Sequence, residues 1–365
     1  MAGIADRGTA PLGFSSLCSY ASPRSVCFTH RRRGITITHG HTRAKRRIYV
    51  YHYPATMRSM RSAIAIPQFY ADGEFDPAAF RDYFSRIEAL GCYDSAWTQE
   101  GMLGPGPQLS PIESMTYAAA VTSRLRLGCV VFVSTLHSPV HLAKSLASLD
   151  QLSGGRLDVG VGTGGPNRPF AAFGVDPSRY VARFTEGVRL MKALWTEPRV
   201  TFDGEFWQLK DAPMEPKPLQ KPHPPLWFGA SGPAALRRAA RMGDGFFGAG
   251  SSTTGAFAEQ VRVVRDAVAA AGRDPGRFPI AKRVYISVGS DPDRARERMN
   301  DALASVYGQR IPAIEEAAIA GTVSDCVRAV QEVSDAGAEL ILFTALHDQL
   351  EHAEQIAAEI IPRLG

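Results

Sequence analysis

From residue 61 onward, short apolar runs with strand-like composition alternate with longer stretches of helical periodicity. Repeated β–α units of this kind favour a parallel sheet covered by helices. Eight runs have the character of strands: 63–66, 94–98, 127–134, 157–161, 226–229, 245–249, 280–288 and 339–344. The pattern predicts an α/β fold, a closed (β/α)8 TIM barrel, with a doubly wound open sheet as the alternative. No GxGxxG follows the first run, which weakens the dinucleotide-binding form of that alternative.

Helical patterns accompany these strands. The first begins at Asp76-Pro77, where aspartate can cap and proline suits the first turn, and it ends before Gly91. The predicted helices are 76–90, 111–123, 138–152, 183–195, 233–242, 257–271, 293–307, 324–336 and 349–363.

One segment interrupts the alternation between strands four and five. Residues 200–209 place Asp203-Gly204 between two β-prone arms, which predicts a hairpin. Six prolines follow between positions 213 and 225, and they leave few amide donors for a helix or a sheet. We therefore expect an insertion that consists of a hairpin and an extended proline-rich loop.

The first sixty residues differ in composition from the rest. They hold ten lysines and arginines and one acid, Asp6, so the remaining chain is mildly acidic. An acidic body argues against nucleic-acid binding, which depends on phosphate neutralisation. For residues 1–60 three interpretations stay open: a start site assigned upstream of Met57 or Met60, a disordered basic tail, or a targeting segment. None gives the segment a catalytic role, and residues 61–365 form the barrel.

Five cysteines, at positions 18, 27, 92, 129 and 326, show no CxxC or metal-like spacing. We expect reduced thiols in a cytoplasmic protein and no metal site. No apolar stretch approaches the roughly 18–20 residues that span a bilayer, so we expect no membrane partner.

The active site of such a barrel lies where the strands end, which makes two residues catalytic candidates. Glu100 follows the second strand and could serve acid–base chemistry, although a solvated loop acid would look the same. His137 follows the third strand and could transfer a proton or hydrogen-bond a cofactor ring. A structural histidine is the alternative.

Two glycine-rich loops are the cofactor-binding candidates. Gly162-Thr163-Gly164 follows the fourth strand, and its glycines allow backbone to approach a flat ligand, as they would also allow a tight turn. Gly229-Ala230-Ser231 follows the fifth strand and leads directly into a helix. Exposed amides at a helix start bind anions, so this loop predicts a phosphate site, with an ordinary capped turn as the alternative.

Taken in order, several segments resemble the bacterial luciferase-like monooxygenases over about residues 62–363. The segments that carry the resemblance are 93–97 (YDSAW), 122–128 (TSRLRLG), 138–144 (SPVHLAK), 149–157 (LDQLSGGRL), 172–175 (AFGV), 183–186 (RFTE), 194–195 (LW), 217–225 (KPLQKPHPP) and 243–246 (GDGF).

The resemblance implies an insertion-bearing (β/α)8 barrel, usually a homodimer, that uses reduced FMN or the deazaflavin coenzyme F-420. It places the ring near Val130 and Val131, on a non-proline cis peptide or a bulge, and the phosphate on Gly229-Ala230-Ser231. Two positions depart from deazaflavin members: Gln99-Glu100 stands where many have Asp-His, and Gly165 stands where the sugar-phosphate dehydrogenases have Glu.

The leading hypothesis is therefore a monooxygenase that uses reduced FMN and O2 on a small organic substrate, with a separate flavin reductase as a partner. Phe132, Trp97 and Phe247 are candidate pocket walls that would exclude water. The second hypothesis is hydride transfer with F-420, with Glu100 or His137 as the proton carrier. A non-catalytic flavin-binding barrel and a phosphosugar isomerase or aldolase barrel are further alternatives. The sequence does not identify the substrate.

Overall fold

The computed structural model describes residues 60–70, 74–104, 106–165 and 168–364. Its main sheet contains eight parallel strands that form a ring: β1 (Arg61–Ala65), β2 (Ser95–Thr98), β3 (Arg126–Val133), β4 (Leu157–Gly162), β7 (Leu226–Gly229), β8 (Gly245–Gly248), β9 (Ile280–Val288) and β11 (Leu340–Thr344). The ring is closed, because β9 pairs with both β8 and β11, and β11 pairs with β1. This confirms the TIM barrel and excludes the open sheet. The predicted basic extension, residues 1–60, lies almost wholly outside the described residues.

Helices surround the ring as the periodicity predicts. They are α1 (Pro77–Leu90), α2 (Pro111–Val121), α3 (Pro139–Leu152), α4 (Tyr180–Thr196), α5 (Pro233–Met242), α6 (Thr254–Ala270), α7 (Pro292–Tyr307), α8 (Pro312–Ala317), α9 (Val323–Asp335) and α10 (Gln349–Gln355). Asp76 caps α1 by accepting hydrogen bonds from two backbone amides, and Gly91 ends it with a φ of 71°. These local signals explain why the first helix has its predicted bounds.

The insertion between β4 and β7 contains the predicted hairpin with a longer connection. Its strands are β5 (Val200–Asp203) and β6 (Gln208–Ala212), so four residues form the loop. Glu186 on α4 accepts hydrogen bonds from the loop amides of Glu205, Phe206 and Trp207. Because this carboxylate satisfies the amides of the wider loop, Asp203-Gly204 does not form the tight two-residue turn.

Two further elements escaped prediction. The short helix α8 and the strand β10 (Ile319–Gly321) lie between α7 and α9, and β10 pairs with the end of β9. A strand of three residues is too short for its alternation to stand out from a loop.

Three large aromatic side chains fill the barrel interior. Trp97, Trp227 and Phe247 approach one another with ring centroids 4.9–6.0 Å apart. A Cβ at Gly128 would stand 2.3 Å from the Trp97 ring, and one at Gly245 would stand 2.6 Å from the Trp227 ring. Glycine on the neighbouring strands therefore makes room for these indoles, and the filled interior forms the floor below the strand ends.

Among the described residues, the search for a helix with the length and apolarity of a bilayer span found none.

Candidate functional site

A cavity of about 720 Å³ opens at the carboxyl ends of β3, β4, β7 and β8. This volume suits a drug-sized ligand. All eight residues predicted to bind the cofactor line it: Val130, Val131, Gly162, Thr163, Gly164, Gly229, Ala230 and Ser231. The fold therefore brings together two glycine-rich loops and a strand end that are up to about one hundred residues apart in the sequence.

The end of β3 is irregular at the predicted position. The Val130–Val131 peptide bond is cis, and the register between β3 and β4 shifts between Cys129 and Phe132. A Cβ at Gly162 or at Gly229 would stand 2.7 Å from a methyl carbon of Val131. Glycine at the ends of β4 and β7 therefore makes room for the Val131 side chain, which occupies the space that a Cβ at either position would need.

Helix α5 begins at the cavity without a side-chain cap. Its N-cap is Gly232 and its first residue is Pro233, which has no N–H. Within the described residues, no hydrogen bond engages the backbone amides of Ala230, Ser231 or Gly232. By contrast, α1, α3, α6, α7 and α9 each have a side-chain cap. Unpaired amides at the positive end of a helix dipole form a site for a phosphate.

The loop after β4 also lines the cavity. Gly164 and Gly165 have φ angles of 83° and 73°, a conformation that disfavours other residues. The Thr135 hydroxyl donates a hydrogen bond to the Thr163 carbonyl at 2.9 Å, and Arg168 Nε donates to the Gly164 carbonyl at the same distance. This loop is therefore held by its neighbours in a shape that exposes backbone to the cavity.

The structure also brings the two predicted catalytic residues together, but neither is among the described residues that line the cavity. Glu100 Oε1 lies 2.8 Å from His137 Nε2, and Oε2 accepts a hydrogen bond from the Val133 amide at 2.7 Å. The Glu100 side chain is only 1% exposed. Both carboxylate oxygens are thus hydrogen-bonded, one to the end of β3 and one to the segment that follows it. Glu100 in this arrangement is suited to holding the end of β3 and the His137 ring in place.

The three predicted walls have different roles. Phe247 lines the cavity, whereas Trp97 lies in the filled interior below it. Phe132 faces the outer core between the strands and helices, where its ring meets the His137 ring edge-on. Phe132 is therefore a core residue, because it lies on the face of β3 opposite the barrel interior.

Several polar side chains of the cavity were not among the predicted site residues. Arg168 follows β4, Arg238 lies on α5, and Arg283 lies on β9. Tyr285 on β9 and Tyr307 at the end of α7 complete the polar wall, with their hydroxyl oxygens 2.7 Å apart. Every residue of β9 is buried, so its sequence lacks the alternation that would have identified the inward face.

A histidine–aspartate cluster follows β11, where His347, Asp348 and His352 hold potential metal-ligand atoms close together. Arg298 donates to Asp348 at 2.5 Å, and His352 Nε2 accepts the Val288 amide at 3.2 Å. Protein groups therefore already hydrogen-bond to Asp348 and His352 of the cluster. The absence of a metal site stays a prediction.

Lys282 is a buried cation behind the cavity. Its ammonium group donates a hydrogen bond to the Ala249 carbonyl and lies 5.8 Å from the centre of the Phe257 ring. Burial, assisted by the charge of Arg283, lowers the pKa of Lys282 to about 7. In the unfolded chain a lysine keeps a pKa of about 10.4, so the folded state binds fewer protons between these two values.

We therefore predict that Lys282→Met stabilises the protein in a pH-dependent manner. The penalty for burying the ammonium is fully present below pH 7 and disappears as the pH rises through the unfolded value of about 10.4. The melting temperature of the variant should exceed that of the parent at pH 6, and the difference should shrink by pH 10. Lys210→Met on the exposed face of the hairpin is the control. An equal difference at both pH values would refute this account.

Comparisons with known proteins give three findings about sequence. Residues 57–360 match the family described as luciferase-like monooxygenase. An F-420-dependent glucose-6-phosphate dehydrogenase from Kineococcus radiotolerans is 29% identical over 321 residues, which cover 80% of this chain and 94% of that protein. An FMNH2-dependent dimethylsulfone monooxygenase from Pseudomonas putida is 38% identical over 138 residues, 37% of this chain and 38% of that protein.

Two solved structures share the fold over most of their length. A monooxygenase from Streptomyces bottropensis superposes with a TM-score of 0.73 at 25% identity and covers 83% of this chain and 99% of its own. An F-420-dependent secondary alcohol dehydrogenase superposes with a TM-score of 0.72 at 20% identity, over 84% of this chain and 99% of its own.

Proposed function

Because the chain belongs to the luciferase-like monooxygenase family, we propose that it is an oxidoreductase that uses reduced FMN and O2 on a small organic substrate. When bound, the reduced flavin ring supplies the electrons. The observation that carries the proposal is the cavity itself, which is lined both by unpaired amides at the start of α5 and by glycine-rich backbone after β4. The amides suit an anion such as a phosphate, and the glycine-rich backbone allows a flat ring to approach closely.

Each part of the cavity has a role in this proposal. The amides of Ala230, Ser231 and Gly232 would hold the phosphate, helped by the α5 dipole. The irregular end of β3 at Val130–Val131 would support the ring, with Phe247 as part of the apolar wall. The buried aromatic floor excludes water from the reacting face, which protects reduced species from side reactions.

A second candidate is hydride transfer with coenzyme F-420. It is favoured by the F-420-dependent relative, whose similarity spans most of both chains. Hydride transfer to a carbonyl also requires a proton donor beside the substrate. Glu100 and His137, the proton carriers considered for this reaction, bond to each other and to backbone and are not among the described lining residues. By the sequence resemblance, Gly165 stands where the sugar-phosphate dehydrogenases carry a glutamate, which argues against that particular dehydrogenase reaction.

A paired titration tests the proposal. We expect the purified chain to bind reduced FMN under anaerobic conditions and to consume O2 in the presence of its substrate, followed by fluorescence and an oxygen electrode. If the chain bound F-420 but not reduced FMN, hydride transfer with F-420 would become the leading candidate function. A bound flavin without turnover of any donor would support the third hypothesis, a non-catalytic flavin-binding barrel.

Three expectations belong to the same proposal. A monooxygenase of this kind needs a source of reduced flavin, so we propose a separate flavin reductase as its partner. We also propose a homodimer in the cytoplasm, where Cys92, Cys129 and Cys326 would stay reduced, as they are in the structure.

A further inference from the structure

The cavity carries more positive charge than a single cofactor phosphate requires. Arg168, Arg238 and Arg283 line it, and no aspartate or glutamate is among its described lining residues. Arg238 lies on α5, whose amino end is our phosphate site. Arg168 and Arg283 lie on other elements, so their charges are available to a second anionic group.

Arg283 is the more buried of these two arginines, at 8% exposure. Its Nη1 donates a hydrogen bond to the Gln99 side chain, but its Nε is buried and has no partner among the described residues. A buried cationic donor without an acceptor costs free energy, since it has left water without a replacement bond. An acceptor from a ligand in the cavity would remove this cost.

A pair of phenols lies beside the two arginines. The hydroxyl groups of Tyr285 and Tyr307 are 2.7 Å apart, and both residues line the cavity. Burial and the neighbouring Tyr285 raise the pKa of Tyr307, while the charges of Arg283 and Arg168 act in the opposite direction. Tyr307 therefore keeps its proton at neutral pH. One hydroxyl of the pair donates to the other, and the remaining proton can be donated to an oxyanion next to both arginines.

We propose that Arg168, Arg283 and the Tyr285–Tyr307 pair form a second anion subsite that binds a carboxylate or another oxyanion of the substrate. The inference rests on the proposed function, which assigns the amides at the start of α5 to the cofactor. Hydrogen bonds between charged groups are stronger than neutral ones, so two arginines and a phenol can orient such a substrate. Its organic part would contact apolar walls such as Val130 and Phe247.

Benzoate and benzamide are suitable probes, because they share a ring and differ in charge. With the full, cofactor-free chain in a calorimeter, we expect benzoate to bind at least about tenfold more tightly than benzamide. Arg283→Met should weaken benzoate binding about tenfold or more. Arg168→Gln and Tyr307→Phe should weaken it several-fold. Arg241→Met is the matched control, since this arginine lies on α5, is exposed and is not in the described lining.

The outcomes separate the substrate from the cofactor. Equal affinity for the two probes, or benzoate binding unchanged in Arg283→Met, would overturn the subsite. If Arg283→Met weakened FMN or F-420 as much as benzoate, the arginines would serve the cofactor and the substrate assignment would fail. Benzoate binding without affinity for either cofactor would refute the proposed function and support the anion subsite. Should Arg283→Met lack a cooperative melting transition, the Arg168 and Tyr307 variants decide the result.

Discussion

Replacing Ser231 with aspartate is expected to weaken binding of the reduced cofactor at least tenfold, equivalent to about 1.4 kcal/mol. Ser231 precedes the N-cap of α5, where the backbone amides are unpaired within the described residues. A carboxylate there would repel the phosphate and would itself accept hydrogen bonds from those amides. Anaerobic titration of reduced FMN, followed by fluorescence, measures the change.

Ser231→Asn is the matched control for this substitution. Asparagine has nearly the size of aspartate but no charge, so it should weaken the cofactor much less. Equal losses in both variants would attribute the effect to size, and unchanged affinity in Ser231→Asp would place the phosphate elsewhere.

The largest loss of stability is expected for Gly160→Ala in β4. A Cβ at this position would stand 2.2 Å from the backbone carbonyl oxygen of Cys129 on β3. Neither atom can move freely, because Cys129 is paired with Val159 in the β3–β4 register. Overpacking of this kind should cost on the order of 3 kcal/mol, and it should lower the midpoint of urea-induced unfolding.

Gly255→Ala provides the comparison. Gly255 lies in the first turn of α6, and a Cβ there would meet no atom within 4 Å. Alanine should be neutral or should stabilise the helix by about 0.5–1 kcal/mol. If the two variants unfolded at similar urea concentrations, the close approach of β3 and β4 would not have the importance that we assign to it.

The cofactor-binding prediction came from local features whose positions the fold then fixed. Gly162-Thr163-Gly164 and Gly229-Ala230-Ser231 follow the strands β4 and β7, and the parallel strands of a barrel end at the same face. Any loops that follow such strands must therefore lie near one another. Recognising the strands was enough to bring these residues into one cavity.

The catalytic role of Glu100 and His137 stays a prediction, because it depends on side-chain direction as well as on position after a strand. Glu100 and His137 also follow strands, but their side chains bond to each other and to the Val133 amide outside the described lining. A residue that follows a strand must have its backbone at the face of the barrel where the strands end. That position does not fix the direction of the side chain, which depends on the irregular end of β3.

The sequence by itself determined the order of strands and helices, because apolar periodicity and capping residues are local properties. The tertiary structure alone decided which residues of β9 face the cavity. Arg283 and Tyr285 point inward while Lys282 points toward α6, yet all three are buried. A strand that is covered on both faces has no alternation to distinguish them, so only the closed ring reveals the polar wall.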